Sequence, residues 1–231
     1  MGDTPKGNVI IIPGLAAPVI LMKPLGMRLK RAGYNPVYMH YPLHTPLEDH
    51  VEKFKKLLAE IDPGQPLFIT THSYGSLICR NAYMDPDLPR PMRVVMIAPV
   101  NHGSTLAQTW YDMTGKVRGG HRLMGFIAGP IPFQIRKSLS DRNRLFPVCS
   151  ADAGLISLVL PDIIGRFHPM LNGPNDGIST IDDTYTSGVK DFILLTGEHN
   201  TALLSKNMAL NVIRFLDTGF FREQKIALSQ A

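Results

Sequence analysis

Two patterns of apolar residues alternate along the chain. Val9-Ile10-Ile11-Ile12 is a continuous β-branched run that ends at Pro13-Gly14. Such a run suits a strand buried on both faces, as in a parallel sheet. From Ile20 to Arg31 the apolar positions Leu21, Leu25 and Leu29 fall at helical spacing, and Gly33 offers a helix end. Pro36–His40 reads as a second strand. Pro46–Ile61 reads as a helix with Val51, Phe54, Leu57, Leu58 and Ile61 on one face and Lys55, Lys56 and Glu60 on the other, closed by Pro63-Gly64. Pro66–Thr70 is a third buried strand, Tyr74–Met84 a helix and Arg93–Ala98 a fourth strand. Strands alternating with helices predict an α/β fold with a mostly parallel central sheet flanked by helices.

The rhythm breaks over Gly103–Leu145, which is rich in glycine and holds no clean strand. The break predicts a cap or lid, residues 104–145, inserted into a single domain spanning 1–231. Afterwards Phe146–Cys149 and Asp191–Leu195 read as strands. Asn200–Asp217 reads as a last helix with Leu204, Met208, Val212 and Phe215 on one stripe, stopped by Gly219.

Composition narrows the function classes. A chain of 231 residues fits one domain with at most a small insertion. With 44% hydrophobic and 19% charged residues it is neither disordered nor of collagen or coiled-coil type. The net charge of +5 comes without an Arg/Lys-rich run, zinc-finger spacing or an aromatic RNA-binding signature, so no nucleic-acid partner is expected. Between Thr114 and Arg144, seven cations (Lys116, Arg118, Arg122, Arg136, Lys137, Arg142, Arg144) face the single carboxylate Asp141. Beside Leu123, Phe126 and Ile131 they suit transient contact with a lipid surface, and equally a lid folded onto the core. Cys79 and Cys149 lack CxxC spacing and read as two buried thiols, so no metal is expected. No apolar segment is long enough to span a bilayer, and Val9–Ile12 is too short for a signal core, so a cytoplasmic location is expected.

The strongest chemical signal is Phe68-Ile69-Thr70-Thr71-His72-Ser73-Tyr74-Gly75-Ser76-Leu77, a strand, sharp turn and helix with a serine at the turn. There the hydroxyl of Ser73 stands above the carboxyl end of the sheet. The tight turn wants small residues on both sides. Gly75 fits; Thr71 is β-branched where glycine is usual. A serine nucleophile needs two N–H donors for the developing oxyanion. Tyr74 offers one, and Leu15, in the loop after the first strand, offers the other. The serine also needs a base oriented by a carboxylate. His199 follows the strand Phe192–Leu195 at its carboxyl end, with His102 as a rival; His72 adjoins the serine but is expected to point the other way. Asp176, in the turn Asn172–Ile178, gives the chain order Ser…Asp…His, with Asp152, Asp182 and Asp183 as rivals.

Taken in order, Ile12-Pro13-Gly14-Leu15, Thr71-His72-Ser73-Tyr74-Gly75, Ala98-Pro99-Val100-Asn101-His102-Gly103-Ser104, Pro174-Asn175-Asp176-Gly177 and Glu198-His199-Asn200 resemble the α/β-hydrolase superfamily. Within it the chain is similar to small bacterial lipases and esterases with a minimal core. The resemblance implies a serine hydrolase of carboxylic esters, with Ser73, Asp176 and His199 as triad, Leu15 and Tyr74 as oxyanion donors, and no cofactor. Those relatives often carry His-Gly where this chain has Pro13-Gly14, which alters the pocket wall. The same residues would serve a thioesterase or acyltransferase, and the scaffold alone a non-catalytic lipid- or partner-binding protein.

Overall fold

The structure is a computed structural model that describes residues 5–15, 19–135, 152–161, 170–186 and 188–222. Its elements follow the chain as β1 (Asn8–Ile12), α1 (Val19–Arg31), β2 (Asn35–Tyr38), α2 (Leu47–Ala59), β3 (Leu67–His72), α3 (Gly75–Ala82) and β4 (Arg93–Ile97). Then come α4 (Thr105–Gly115), α5 (Gly120–Ala128), α6 (Ile131–Gln134), β5 (Asp152–Val159), α7 (Ile181–Thr184), β6 (Asp191–Thr196) and α8 (Lys206–Thr218). The strands form one sheet in the order β2-β1-β3-β4-β5-β6, and every neighbouring pair is parallel.

Alternation along the central strands feeds two cores, as a sheet covered on both faces requires. Val9, Ile11 and Phe68 pack with Leu25 and Leu29 of α1 and Val212 and Phe215 of α8. Ile10, Ile12 and Ile69 point the other way, toward Phe54 and Leu58 of α2 and Ile78 of α3. This explains why β1 is apolar throughout: all five of its residues are buried. β2 lies at the sheet edge, and Pro36 within it has no N–H to give to a further strand.

The structure departs from the sequence reading at the last helix and adds elements at two other places. The strand read at Phe146–Cys149 lies outside the described residues, as does Cys149; the strand beside β4 is Asp152–Val159. The last helix starts at Lys206, because Thr201–Leu204 is a separate 3-10 turn and Ser205 caps α8 with Oγ accepting the N–H of Asn207 and Met208. The glycine-rich stretch contains α4, α5 and α6 over 105–134, while 136–145 lie outside the described residues.

Candidate active site

Parallel strands bring their carboxyl ends to one edge, and the loops leaving that edge carry the candidate residues. Ser73 follows β3 with φ 49°, a left-handed backbone that few non-glycine residues adopt. Its surroundings hold it there. Its N–H donates to the Ile97 carbonyl at 2.9 Å, and its carbonyl accepts from Ser76 Oγ at 2.7 Å and Ser76 N–H at 3.0 Å. Gly75 is forced by close approach: a Cβ there would lie 2.6 Å from the Ile12 carbonyl oxygen and 2.7 Å from that of Pro13. Thr71, the departure from the usual glycine, is an ordinary strand residue paired with Met96, fully buried. The turn itself begins after His72, so the β-branch at 71 does not strain it.

Asp176 and His199 meet directly. Nδ1 of His199 lies 2.7 Å from Oδ2 of Asp176, and the His199 N–H donates to the Asp176 carbonyl at 3.0 Å. The other carboxylate oxygen accepts the N–H groups of Ile178 at 3.0 Å and Ser179 at 2.7 Å. Asp176 has no exposed surface and His199 is 3% exposed. These hydrogen bonds satisfy the enclosed carboxylate. It accepts Nδ1–H and leaves the lone pair on Nε2 of His199.

The rival residues lie elsewhere. Asp152 starts β5 at the opposite edge of the sheet and pairs with Lys190 at 2.6 Å. Asp183 is buried and accepts from Thr105 Oγ1 at 2.6 Å and from the Thr180 N–H, while Asp182 is exposed. His102 places its backbone N–H on the Asp183 carbonyl and does not line the cavity described next.

A cavity of about 190 Å³ opens at this edge and is lined by Ser73, His199, Leu15 and Tyr74 together. Asp176 stands behind His199. Opposite, Leu106, Ala107 and Trp110 of α4 and Pro132 and Ile135 at α6 form an apolar wall. Gly14, in the loop after β1, lies close against the end of β3, where a Cβ would approach His72 Nδ1 to 2.7 Å and Ser73 Cβ to 3.0 Å. The peptide before it is pinned by Tyr41, whose hydroxyl donates to the Pro13 carbonyl at 2.8 Å. Tyr74 is fixed from its side chain: its hydroxyl lies 2.9 Å from Nδ1 of His50, whose Nε2 lies 2.8 Å from the Pro42 carbonyl. Burial lowers the His50 pKa, so the neutral ring donates from Nε2 and accepts from Tyr74. Tyr41 and His50 carry no sequence signal, because the loops that bring them to the elbow are not adjacent to it in the chain.

His72 corrects the sequence reading. It does not point away; it lines the cavity, its ring centroid is 4.7 Å from that of His199, and its Nε2 lies 3.1 Å from the His199 carbonyl. Alternation in β3 places it on the Phe68 side, the side covered by α8, and the His199 loop leads into that layer. Complete burial, then the neighbouring His199, push its pKa well below the ordinary histidine value. Among the described residues no group of three His, Cys, Asp or Glu could hold a metal ion. None of the described helices is long and apolar enough to cross a membrane.

No protein-family profile and no curated protein sequence matches the chain. Solved structures do. A metagenomic carboxyl esterase is similar over 93% of this chain and 76% of its own, with 17% identity and a TM-score of 0.71. A lipase of Bacillus licheniformis in its mature form is similar over 95% of this chain and 94% of its own, at 15% identity and TM-score 0.67. Phospholipase PlaB of Legionella pneumophila is similar at 16% identity and TM-score 0.69; this chain covers 60% of it. These likenesses establish the architecture: the chain has the α/β-hydrolase fold found in esterases and lipases.

Proposed function

We propose that the protein is a serine hydrolase of carboxylic esters, a single domain whose residues 104–145 form a cap over the site. The observation that carries this reading is the 2.7 Å contact of His199 Nδ1 with the buried Asp176 carboxylate, behind the cavity that Ser73 and His199 share. His199 Nε2 takes the Ser73 hydroxyl proton as Oγ attacks the ester carbonyl carbon. The Leu15 and Tyr74 N–H groups receive the oxyanion. The tetrahedral intermediate collapses, the carbonyl re-forms, and the alcohol leaves with the proton from His199. Water then gives a proton to His199 and its oxygen to the acyl carbon; Ser73 recovers its proton and the acid departs. Asp176 keeps the imidazole in the tautomer this needs. The cavity wall of α4 and α6 carries no ionisable side chain, which suits an apolar acyl chain.

Fluorophosphonate labelling with peptide mapping tests the reading, beside hydrolysis of p-nitrophenyl esters of graded length. The expected outcome is a label on Ser73 and a loss of at least about 10³-fold in kcat for Ser73→Ala. A folded wild type that takes no label and cleaves no ester of the series refutes it. Comparing thioesters with oxygen esters of the same acyl group separates an esterase from a thioesterase.

A further inference from the structure

We propose that the α4–α5 pair is a docking surface for an anionic phospholipid bilayer. The proposal rests on the ester-hydrolase reading of the adjoining cavity, since docking would bring that cavity to its substrate.

The packing face of the two helices is already filled. Tyr111 stacks on His121 with ring centroids 4.0 Å apart, Phe133 stands edge-on to both rings, and Met124 is buried. A second set of large apolar side chains points to solvent. Trp110 is 44% exposed, Met113 53%, Val117 64%, Leu123 60% and Phe126 84%. Trp110 and Met113 on α4, and Leu123 and Phe126 on α5, are spaced i and i+3 on their helices, and Val117 stands in the turn between them. Single exposed apolar residues need no account; five within the stretch from Trp110 to Phe126 do.

Charge selects the occupant. Lys116, Arg118 and Arg122 are exposed among these residues, and none pairs with a carboxylate among the described residues. From Thr105 to Ile135 the only carboxylate is Asp112, which accepts from Gln108. Exposed apolar side chains bordered by exposed cations match acyl chains beneath anionic headgroups. A second copy fits worse, because a two-fold contact sets the same three cations against one another. Trp110 belongs to both surfaces: it is exposed among these apolar side chains and it lines the cavity. A docked molecule therefore holds its cavity mouth at the lipid, and an ester can enter without crossing water.

The test is co-sedimentation of Ser73→Ala protein, which leaves the lipid intact, with vesicles of phosphatidylcholine alone or with about one-third phosphatidylglycerol. Three cations predict partitioning about 100-fold stronger onto the anionic vesicles, falling as salt is raised. Leu123→Ser with Phe126→Ser is expected to lower partitioning at least about tenfold. Lys116→Glu with Arg118→Glu and Arg122→Glu is expected to abolish the preference for anionic lipid. In the Ser73 background both sets are expected to hydrolyse a soluble short-chain ester at the wild-type rate. Binding without any ester turnover refutes the hydrolase reading and leaves docking standing. Equal partitioning by all three proteins overturns the proposal. So does self-association, measured by sedimentation velocity, that the apolar substitutions dissolve while no vesicle binding is seen.

Discussion

His72 shows how one buried side chain links the site to stability. Its ring sits between Gly14 and His199, fully buried, with Nε2 toward the His199 carbonyl. Its pKa is depressed in the folded protein, so it stays neutral there, while in the unfolded chain it titrates near 6.5. Below pH 6.5 the unfolded state therefore binds a proton that the folded state refuses, and stability falls as the pH is lowered. His50 acts with the same sign. The slope contributed by His72 reaches about 1.4 kcal/mol per pH unit between its unfolded and folded values. Urea unfolding of the wild type is expected to show stability declining from pH 6.5 to 5, and His72→Gln to flatten that decline. Equal slopes in the two proteins would mean that the folded state accommodates the charge.

At the scale of elements, β5 joins legibility to packing. The parallel sheet was readable because β1, β3 and β4 are apolar runs without a break. β5 escaped because Asp152 and Gly154, both poor strand formers, open it. Gly154 has a reason that no local pattern carries. A Cβ there would lie 2.6 Å from the buried Phe215 ring of α8. Gly154→Ala is expected to destabilise the fold by about 1–3 kcal/mol, read as a lower Tm, as overpacking does; an unchanged Tm would show that Phe215 can move aside. The site was readable in proportion to its locality. The serine turn and the His199 loop each follow a strand end, so chain order alone put them at one sheet edge. The approach of His72 to His199 and the pinning of Pro13 by Tyr41 arise only when separate loops meet, and the wall formed by Leu106, Ala107 and Trp110 was hidden in a glycine-rich stretch that breaks the alternation of strands and helices.

At the scale of the whole molecule the candidate chemistry and the candidate selectivity come from different parts. Leu15, Ser73 and His199 leave the carboxyl ends of β1, β3 and β6, and their spacing is set by a sheet with buried strands on both sides. The opposite wall comes from α4 and α6, anchored to that frame by Thr105, whose hydroxyl donates to Asp183 at 2.6 Å. A substitution in the wall should therefore change which acyl chain fits and leave the attacking groups alone. Ala107 lines the cavity and is 7% exposed, so a larger side chain there has to occupy the space an acyl chain would use. For Ala107→Leu, kcat/KM on a p-nitrophenyl octanoate is expected to fall about 10–200-fold, the range that lost apolar contact in a pocket supplies, while the acetate stays within about twofold. A uniform fall across the series would mean that α4 supports the attacking groups themselves. No change at any length would place the acyl chain along another wall, toward Val100 and Ile178.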